Sequence, residues 1–404
     1  MLSFDIFCRV IDHYGDAGVC WRLARNLAGA PYHARVRLWI DEPQLIAALR
    51  PRNTNHHSCA QPKVQHITYG SAQQDTKRTA NNSRPETTQT AIEICHWRPH
   101  TKQNWPSPHQ VVIEAFAAGI PEAIQKQLQK QNIWLVLEHL SAEAWVDDFH
   151  GLPNRPRPHP QQAFFYYPGF TTHTGGLLRE PQLLGRIKRW QQQSRPQQWQ
   201  QLAAPLGLNK EQLWQLARPE TQVFFIFQYP EAPVRQLVEH LAQRPEPAIL
   251  FYAADQSRAW PHPPINNGSL GIHRLPFVQQ DIFDRILWSA DFNFVRGEDS
   301  WLRALWAQRP FVWQPYQQSK QTHLIKLQAW LDLLHLPHAA RCLQLQWNRA
   351  QNTIDFGALQ PQIAKIWQQQ LQSFVHRLAH QPPLAEQLID FCAQQYKHRL
   401  AYKT

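Results

Sequence analysis

Asp12 and Asp16 stand four positions apart, with Gly15 between them, in the stretch "CRVIDHYGDAGVCWRLARNLAG" of residues 8 to 29. An apolar, strand-like run gives way there to an amphipathic helical one. Carboxylates in such a turn can take up protons and can bind a cation through charge-assisted hydrogen bonds. They would repel a phosphate, so the phosphate-cradling role of many glycine-bearing strand–helix turns does not suit this one. A cationic or hydroxyl-rich ligand suits it better. Gly15 and Gly18 lack Cβ and tolerate a close backbone approach. A plainer reading makes Asp16 the N-cap of the helix through Val19, Leu23 and Leu27, and it carries comparable weight. Asp12 follows the strand directly and is harder to explain as a cap.

A second candidate is "FNFVRGEDSWLRALWAQRPFVW", residues 292 to 313, which reads as strand, turn, helix and strand. Arg296, Gly297, Glu298, Asp299 and Ser300 fall at the strand's carboxyl end and the start of the helix. Ligands of open α/β sheets sit in that crevice, and a helix N-terminus offers free N–H groups to an anion. Arg296 and the Ser300 hydroxyl would add a charge and a hydrogen bond to a diphosphate. The alternative is that Asp299 or Ser300 is an ordinary N-cap and Arg296 pairs with Glu298, and the pattern weighs the two evenly. Aromatics supply a third clue: Phe227 and Tyr229 in "FFIFQY", and Phe277 and Phe283 flanking Gln280 in "LPFVQQDIF". Such residues are most often strand core. The other reading is a slot that stacks a nucleobase while the glutamine reads its polar edge.

The elements that must position these residues are legible as alternation. Short apolar runs separated by helical patterns occur in two series: "FDIFCRV", "ARVRLWI", "VVIEAF" and "NIWLVLEH", then "VFFIFQY", "AILFYAA", "FNFV" and "PFVW". Each series predicts a parallel sheet covered by helices. A length of 404 residues also favours two domains. The proline-rich residues 151 to 162 read as a linker, with a cleft expected nearby. Residues 71 to 91 are too polar to offset their ordering entropy and read as a surface loop. From about Pro361 onward, Gln, Leu, Ala and Trp at helical spacing predict helices, one of which can cross back to the first domain.

Composition narrows the partners. A net charge of +11 suggests an acidic one through long-range steering. The basic residues are dispersed and no nucleic-acid motif occurs, so nucleic acid is not expected. Without an export leader or a bilayer-length apolar run, the expected location is the cytoplasm, with no membrane contact. Cys8, Cys20, Cys59, Cys95, Cys342 and Cys392 lack C-x-x-C spacing and are expected to be free thiols. The sequence contains no H-E-x-x-H, Walker loop or G-x-G-x-x-G, and its 21 histidines show no ligand spacing. D-x-D, the carboxylate pair that commonly holds a metal against a sugar nucleotide, is absent too, so if the chain is a glycosyltransferase no metal and no cofactor are expected.

"IFCRVIDHYGDAGVCWRLARNLA", "LEHLSAE", "GFTTHTGGLLRE", "LPFVQQDIFDRILWSADFNFVRGEDSWLRALWAQRPFVWQPY" and "HLIKLQAWL" run in order from residue 6 to residue 331. Together they resemble the bacterial protein-arginine rhamnosyltransferases that modify elongation factor P. The resemblance implies an α/β protein of GT-B architecture: two Rossmann-like domains facing across a cleft, with C-terminal helices. The N-terminal, acceptor-side domain would span 1–165, with helix 380–404 able to pack back on it. The nucleotide-sugar domain would span 175–379. The implied reaction is inverting, metal-independent transfer of L-rhamnose from dTDP-β-L-rhamnose to an arginine of elongation factor P, an acidic acceptor protein.

By the same resemblance, Asp16 is the general base and Asp12 a second carboxylate at the acceptor arginine. Phe277, Gln280 and Phe283 match the thymine pocket, with Phe227 and Tyr229 on its other side. Arg296, Glu298, Asp299 and Ser300 match the diphosphate and sugar site, with Glu298 expected to touch rhamnose. The chain departs from the family pattern at His13-Tyr14, where Asn-Phe is more usual, and at Ala17, where the family has a larger apolar residue. The alternatives are a GT-B transferase with another donor or acceptor, and a non-catalytic basic adaptor that binds nucleic acid or an acidic protein.

Overall fold

The structure is a computed structural model that describes residues 2–12, 14–50, 63–67, 91–98, 104–154, 162–253, 269–318 and 321–401. The chain divides into two compact units. The first comprises Met1–Ala48, Asn53–Glu180 and Pro382–Thr404; the second comprises Leu49–Arg52 and Pro181–Gln381.

The first unit runs β1 (Ser3–Cys8), α1 (Tyr14–Ala28), β2 (Arg35–Ile40), α2 (Pro43–Leu49), β3 (Lys63–Ile67), β4 (Ala91–His96), β5 (Val111–Ala115), α3 (Glu122–Gln127), β6 (Ile133–Leu137), α4 (Trp145–Phe149), β7 (Pro153–Asn154) and β8 (Ala163–Tyr166). Its described strands form one sheet in the order β3-β4-β2-β1-β5-β6-β8-β7. All pairings are parallel except that of β7 with β8. Central parallel strands are covered on both faces and therefore read as unbroken apolar runs. β5 and β6 are buried throughout, and β1 after its first residue.

The exception inside β1 is Asp5, 1% exposed. Its cross-strand neighbour Arg37 grips both carboxylate oxygens, at 2.7 and 2.8 Å. The Trp39 indole N–H and the His109 amide also donate to it, at 2.9 and 2.7 Å. A buried charge persists only when so compensated. Phe7, Trp39, Trp97 and Trp134 belong to the apolar cluster of this unit, with Phe7 and Trp39 stacked 5.6 Å apart.

The second unit runs α5 (Leu183–Gln191), α6 (Arg195–Leu206), α7 (Lys210–Ala217), β9 (Gln222–Ile226), α8 (Val234–Ala242), β10 (Ala248–Ala253), β11 (Leu270–Leu275), α9 (Gln280–Ser289), β12 (Phe292–Arg296), α10 (Asp299–Ala307), β13 (Phe311–Gln314), α11 (Thr322–Leu333), α12 (His338–Asn348) and α13 (Pro361–Ala379). The described strands form an all-parallel sheet ordered β11-β10-β9-β12-β13. Trp301 stacks on Trp313 at 3.8 Å and meets Trp330 edge-on in its core. The chain then returns to the first unit as α14 (Leu384–Ala401). The Leu384 amide donates to the Leu177 carbonyl at 2.8 Å, and Phe391 meets Phe164 and Tyr166 edge-on.

The division at Glu180 lies beyond the 1–165 boundary read from the sequence. After the proline-rich stretch the chain re-enters the same sheet: β8 pairs with β6, and the Gly175 amide bonds back to the Tyr167 carbonyl at 2.8 Å. Of residues 151 to 162, Pro153 and Asn154 are paired as β7, and 155–161 lie outside the described residues. Of the polar stretch 71 to 91, only Ala91 is described, and it begins β4. Cys8, Cys20, Cys95, Cys342 and Cys392 form no disulfide among the described residues, while Cys59 and His13 lie outside them. No described helix is long and apolar enough to cross a membrane.

Candidate active site

In the first unit the chain leaves β1 through α1 to β2 on one side, and β5 flanks β1 on the other. The connections diverge there, so the carboxyl ends of β1 and β5 bound the crevice where open α/β sheets take ligands. The β1–α1 turn enters it. Asp16 is the third residue of α1, not its N-cap. Its Oδ2 accepts the amides of Ile11 at 2.8 Å and Asp12 at 2.9 Å. The carboxylate thus satisfies main-chain donors ahead of the helix and sits at the positive end of the helix dipole. Asp12 is half-buried beside it.

Gly15 has a more local purpose than ligand approach. A Cβ there would lie 2.6 Å from Asp12 Oδ2, so the missing side chain makes room for that carboxylate. The Gly15 amide also closes the turn onto the Asp12 carbonyl at 2.6 Å. Gly18 is buried within α1, beyond the turn. Beneath lie two thiols: a hydrogen bond with Cys20, and then burial, push the Cys8 thiol well up.

Across the crevice, Phe116 and Ala117 follow β5 with φ of 55° and 53°, and Gly119 with 74°. Left-handed backbone at Phe and Ala is strained, and such strain gathers at functional sites. Buried Glu114 holds the bend by accepting the Gly119 amide at 3.1 Å. The Phe116 ring stacks on His139, just after β6, at 4.4 Å. Sequence reasoning missed this turn, because "EAFAAG" carries a turn signal only at its final glycine.

In the second unit the connections diverge between β9 and β12. Phe227 and Tyr229 follow β9, while Arg296 ends β12. Gly297 supplies the turn with φ of 63°. Glu298, half-buried, occupies the N-cap of α10 without a side-chain capping bond, and Asp299 begins the helix. Neither Asp299 nor Ser300 is the cap. The buried Ser300 hydroxyl donates to the Arg296 carbonyl, so its proton points away from a ligand at the helix tip. Arg296 does not sit on Glu298: its guanidinium carbon lies 4.6 Å from the Phe227 ring centroid and 4.7 Å from that of Tyr229. Buried Gln314 fixes the loop by accepting the Tyr229 amide on its side chain at 2.8 Å and the Gly297 amide on its carbonyl at 3.0 Å.

The β11–α9 segment is drawn in by a buried ion pair. Asp284 of α9 meets Arg303 of α10 through two bonds, at 2.6 and 3.1 Å, with side chains 1% and 2% exposed. On the same helix, Gln280 reaches Asp299 Oδ2 at 3.4 Å and Phe283 meets Phe227 edge-on at 5.3 Å. Phe277, 47% exposed, stands in the connection before α9. The structure therefore gathers Phe227, Tyr229, Gln280, Phe283, Arg296 and Asp299 through direct contacts. Neither Asp284 nor Arg303 was a sequence candidate, although both lie within the long segment that carries the resemblance.

An arginine held on aromatic rings, a helix N-terminus and an amide side chain nearby are groups whose chemistry suits an anion beside a planar, polar group. The family model for "Elongation-Factor P (EF-P) rhamnosyltransferase EarP" matches residues 4–393. The chain belongs to the EarP family. It is 35% identical over 415 residues to the protein-arginine rhamnosyltransferase of Pseudomonas aeruginosa, covering 97% of this chain and 99% of that one. With the Pseudomonas putida enzyme of the same description it shares 34% over 411 residues, covering 96% and 98%. A solved structure describing EarP-mediated arginine glycosylation of translation elongation factor EF-P aligns with a TM-score of 0.56 at 25% identity, covering 98% of this chain and 99% of that chain. UGT89C1 of Arabidopsis thaliana, complexed with UDP, aligns at 0.50 with 11% identity, over 98% and 100% of the two chains. That likeness speaks for fold alone, and the fold of this EarP member is of the GT-B class.

Proposed function

We propose that this EarP protein transfers L-rhamnose from dTDP-β-L-rhamnose to an arginine of elongation factor P, with inversion and without a metal. The observation that carries the reading is the Asp16 carboxylate, fixed through Oδ2 at the crevice of the first unit with Asp12 beside it. Family membership supplies the rest.

Guanidinium is a poor nucleophile because its lone pairs are delocalised and it stays protonated. Deprotonating it outright at pH 7 costs roughly 7 to 9 kcal/mol, from a pKa near 12.5 to 13.8 at about 1.36 kcal/mol per unit. Asp16 avoids a free neutral arginine by taking the proton through Oδ1 as the nitrogen bonds to the anomeric carbon. Asp12 orients the planar fork through charge-assisted hydrogen bonds. The nitrogen attacks opposite the leaving group, so configuration inverts. The anomeric C–O bond breaks and its electron pair leaves with the dTDP oxygen.

Arg296 and the N-terminal amides of α10 stabilise the growing negative charge more in the transition state than in the ground state. Glu298, at the N-cap of the same helix, contacts the sugar in this reading. With Ser300 turned inward, its contribution to the diphosphate is its amide. The net charge of +11 favours encounter with an acidic acceptor protein.

The test is intact-mass analysis of elongation factor P incubated with this protein and dTDP-rhamnose, with and without EDTA. A gain of one deoxyhexose on one arginine in both samples is expected. No gain refutes the reaction, and a gain abolished by EDTA refutes the metal-free mechanism.

A further inference from the structure

We infer that Phe227 and Tyr229 are positioning residues that hold Arg296 ready for the diphosphate. The inference rests on the donor reading above. Arg296 lies over both rings, at 4.6 and 4.7 Å from guanidinium carbon to ring centroid. Both rings are themselves braced. Phe283 meets Phe227 edge-on at 5.3 Å, and Tyr316 meets Tyr229 edge-on at 5.7 Å. The Tyr229 amide is tied to Gln314 at 2.8 Å.

The choice of partner is chemically informative. A carboxylate would hold an arginine just as firmly, yet would cancel the charge that a departing diphosphate needs. An aromatic face attracts the cation through its quadrupole and carries no formal charge, so it orients the guanidinium without neutralising it. Arg303, by contrast, meets the Asp284 carboxylate and fastens α10 to α9. Arg296 meets no carboxylate among the described residues. A long side chain held in place before the ligand arrives also has less rotamer freedom left to lose. The ring faces that receive the guanidinium are covered by it and are closed to a base from that side.

Calorimetric titration of the full chain with dTDP, in a double-mutant cycle, tests this. Tyr229→Leu is expected to weaken dTDP binding about tenfold, the scale of a desolvated cation–π contact. Tyr229→Phe keeps the ring and is expected to stay within about twofold of wild type. In an Arg296→Ala background the Tyr229→Leu change is expected to have no further effect, because its partner has gone. Inorganic pyrophosphate, which has no base, is expected to show the same dependence on the ring. An equal loss from Tyr229→Leu with and without Arg296, or pyrophosphate binding indifferent to it, overturns the inference. Failure of the wild type to bind dTDP refutes the donor reading instead, and the pyrophosphate cycle still decides the role of the ring.

Discussion

The Asp12 amide donates to Oδ2 of Asp16 at 2.9 Å, so the two acidic residues of the first turn are joined through the main chain. The bond gives Asp16 a structural duty, holding the turn, alongside the chemical one proposed for its other oxygen. The two duties respond differently to substitution.

Asp16→Asn retains an oxygen that accepts the Ile11 and Asp12 amides but loses the base. Transfer is expected to fall by about two orders of magnitude or more, the low end of general-base effects, with little change in melting temperature. Asp16→Ala removes the acceptor as well and leaves two part-buried amides to water, at about 1 kcal/mol, the net worth of an ordinary hydrogen bond. Rate assays paired with urea unfolding check both outcomes. An Asn variant of near-normal rate would remove Asp16 from the chemistry.

Gly15→Ala should reverse sign with its neighbour. A helical Gly→Ala change ordinarily gains about 0.5–1 kcal/mol. Here the new methyl would lie 2.6 Å from Asp12 Oδ2, and the overpacking is expected to cost about 1–3 kcal/mol or to displace that carboxylate. With Asp12→Ala already in place, the nearest remaining Asp12 atom is Cβ at 3.4 Å, so the same change becomes stabilising. Urea midpoints of the four proteins measure the sign.

Asp284→Ala is expected to destabilise by about 3–5 kcal/mol, because it strands the Arg303 charge in a dry interior. Since α9 also carries Gln280 and Phe283, donor binding should weaken with it. Asp284→Leu combined with Arg303→Met removes both charges and should recover much of the loss. Chemical denaturation separates the single from the double variant.

His150 makes the first unit acid-sensitive. Its Nδ1 accepts the Tyr167 amide at 3.0 Å, which requires the neutral ring, and burial lowers its pKa from 6.5 to about 4 despite nearby Asp147. An unfolded chain therefore binds this proton at a higher pH than the folded one. The stabilisation is complete above about pH 6.5 and is lost as pH falls toward 4. At about 1.36 kcal/mol per unit it amounts to at most about 3 kcal/mol, less after solvent screening of a half-buried ring. Burial lowers His109 as well, with the same sign. His150→Asn keeps an acceptor for the Tyr167 amide and should flatten unfolding free energy between pH 6.5 and 4; an unchanged slope would exclude His150 as a source.

The alternation of apolar runs with helical patterns specified two parallel α/β units, because strands covered on both faces must be apolar along their length. Five strands left weaker traces. β3, β4, β7, β8 and β11 are short, polar or next to proline-rich chain, and they become strands through their neighbours' hydrogen bonds rather than through their own pattern. For the same reason the first unit extends to Glu180. The residue types at the turns were equally plain, since charge directly after an apolar strand demands a reason.

What the sequence by itself determined was chemical inventory: carboxylates after β1, an arginine and a helix start after β12, aromatics and a glutamine in between. Pairing was decided only in three dimensions. Whether Arg296 meets Glu298 or two rings, whether Asp16 caps its helix or reaches back past it, and whether Gly15 admits a ligand or a neighbouring carboxylate depend on distances of a few ångströms between residues whose spacing allows either. Sheet order sets those distances, and sheet order arises from the packing of the whole unit.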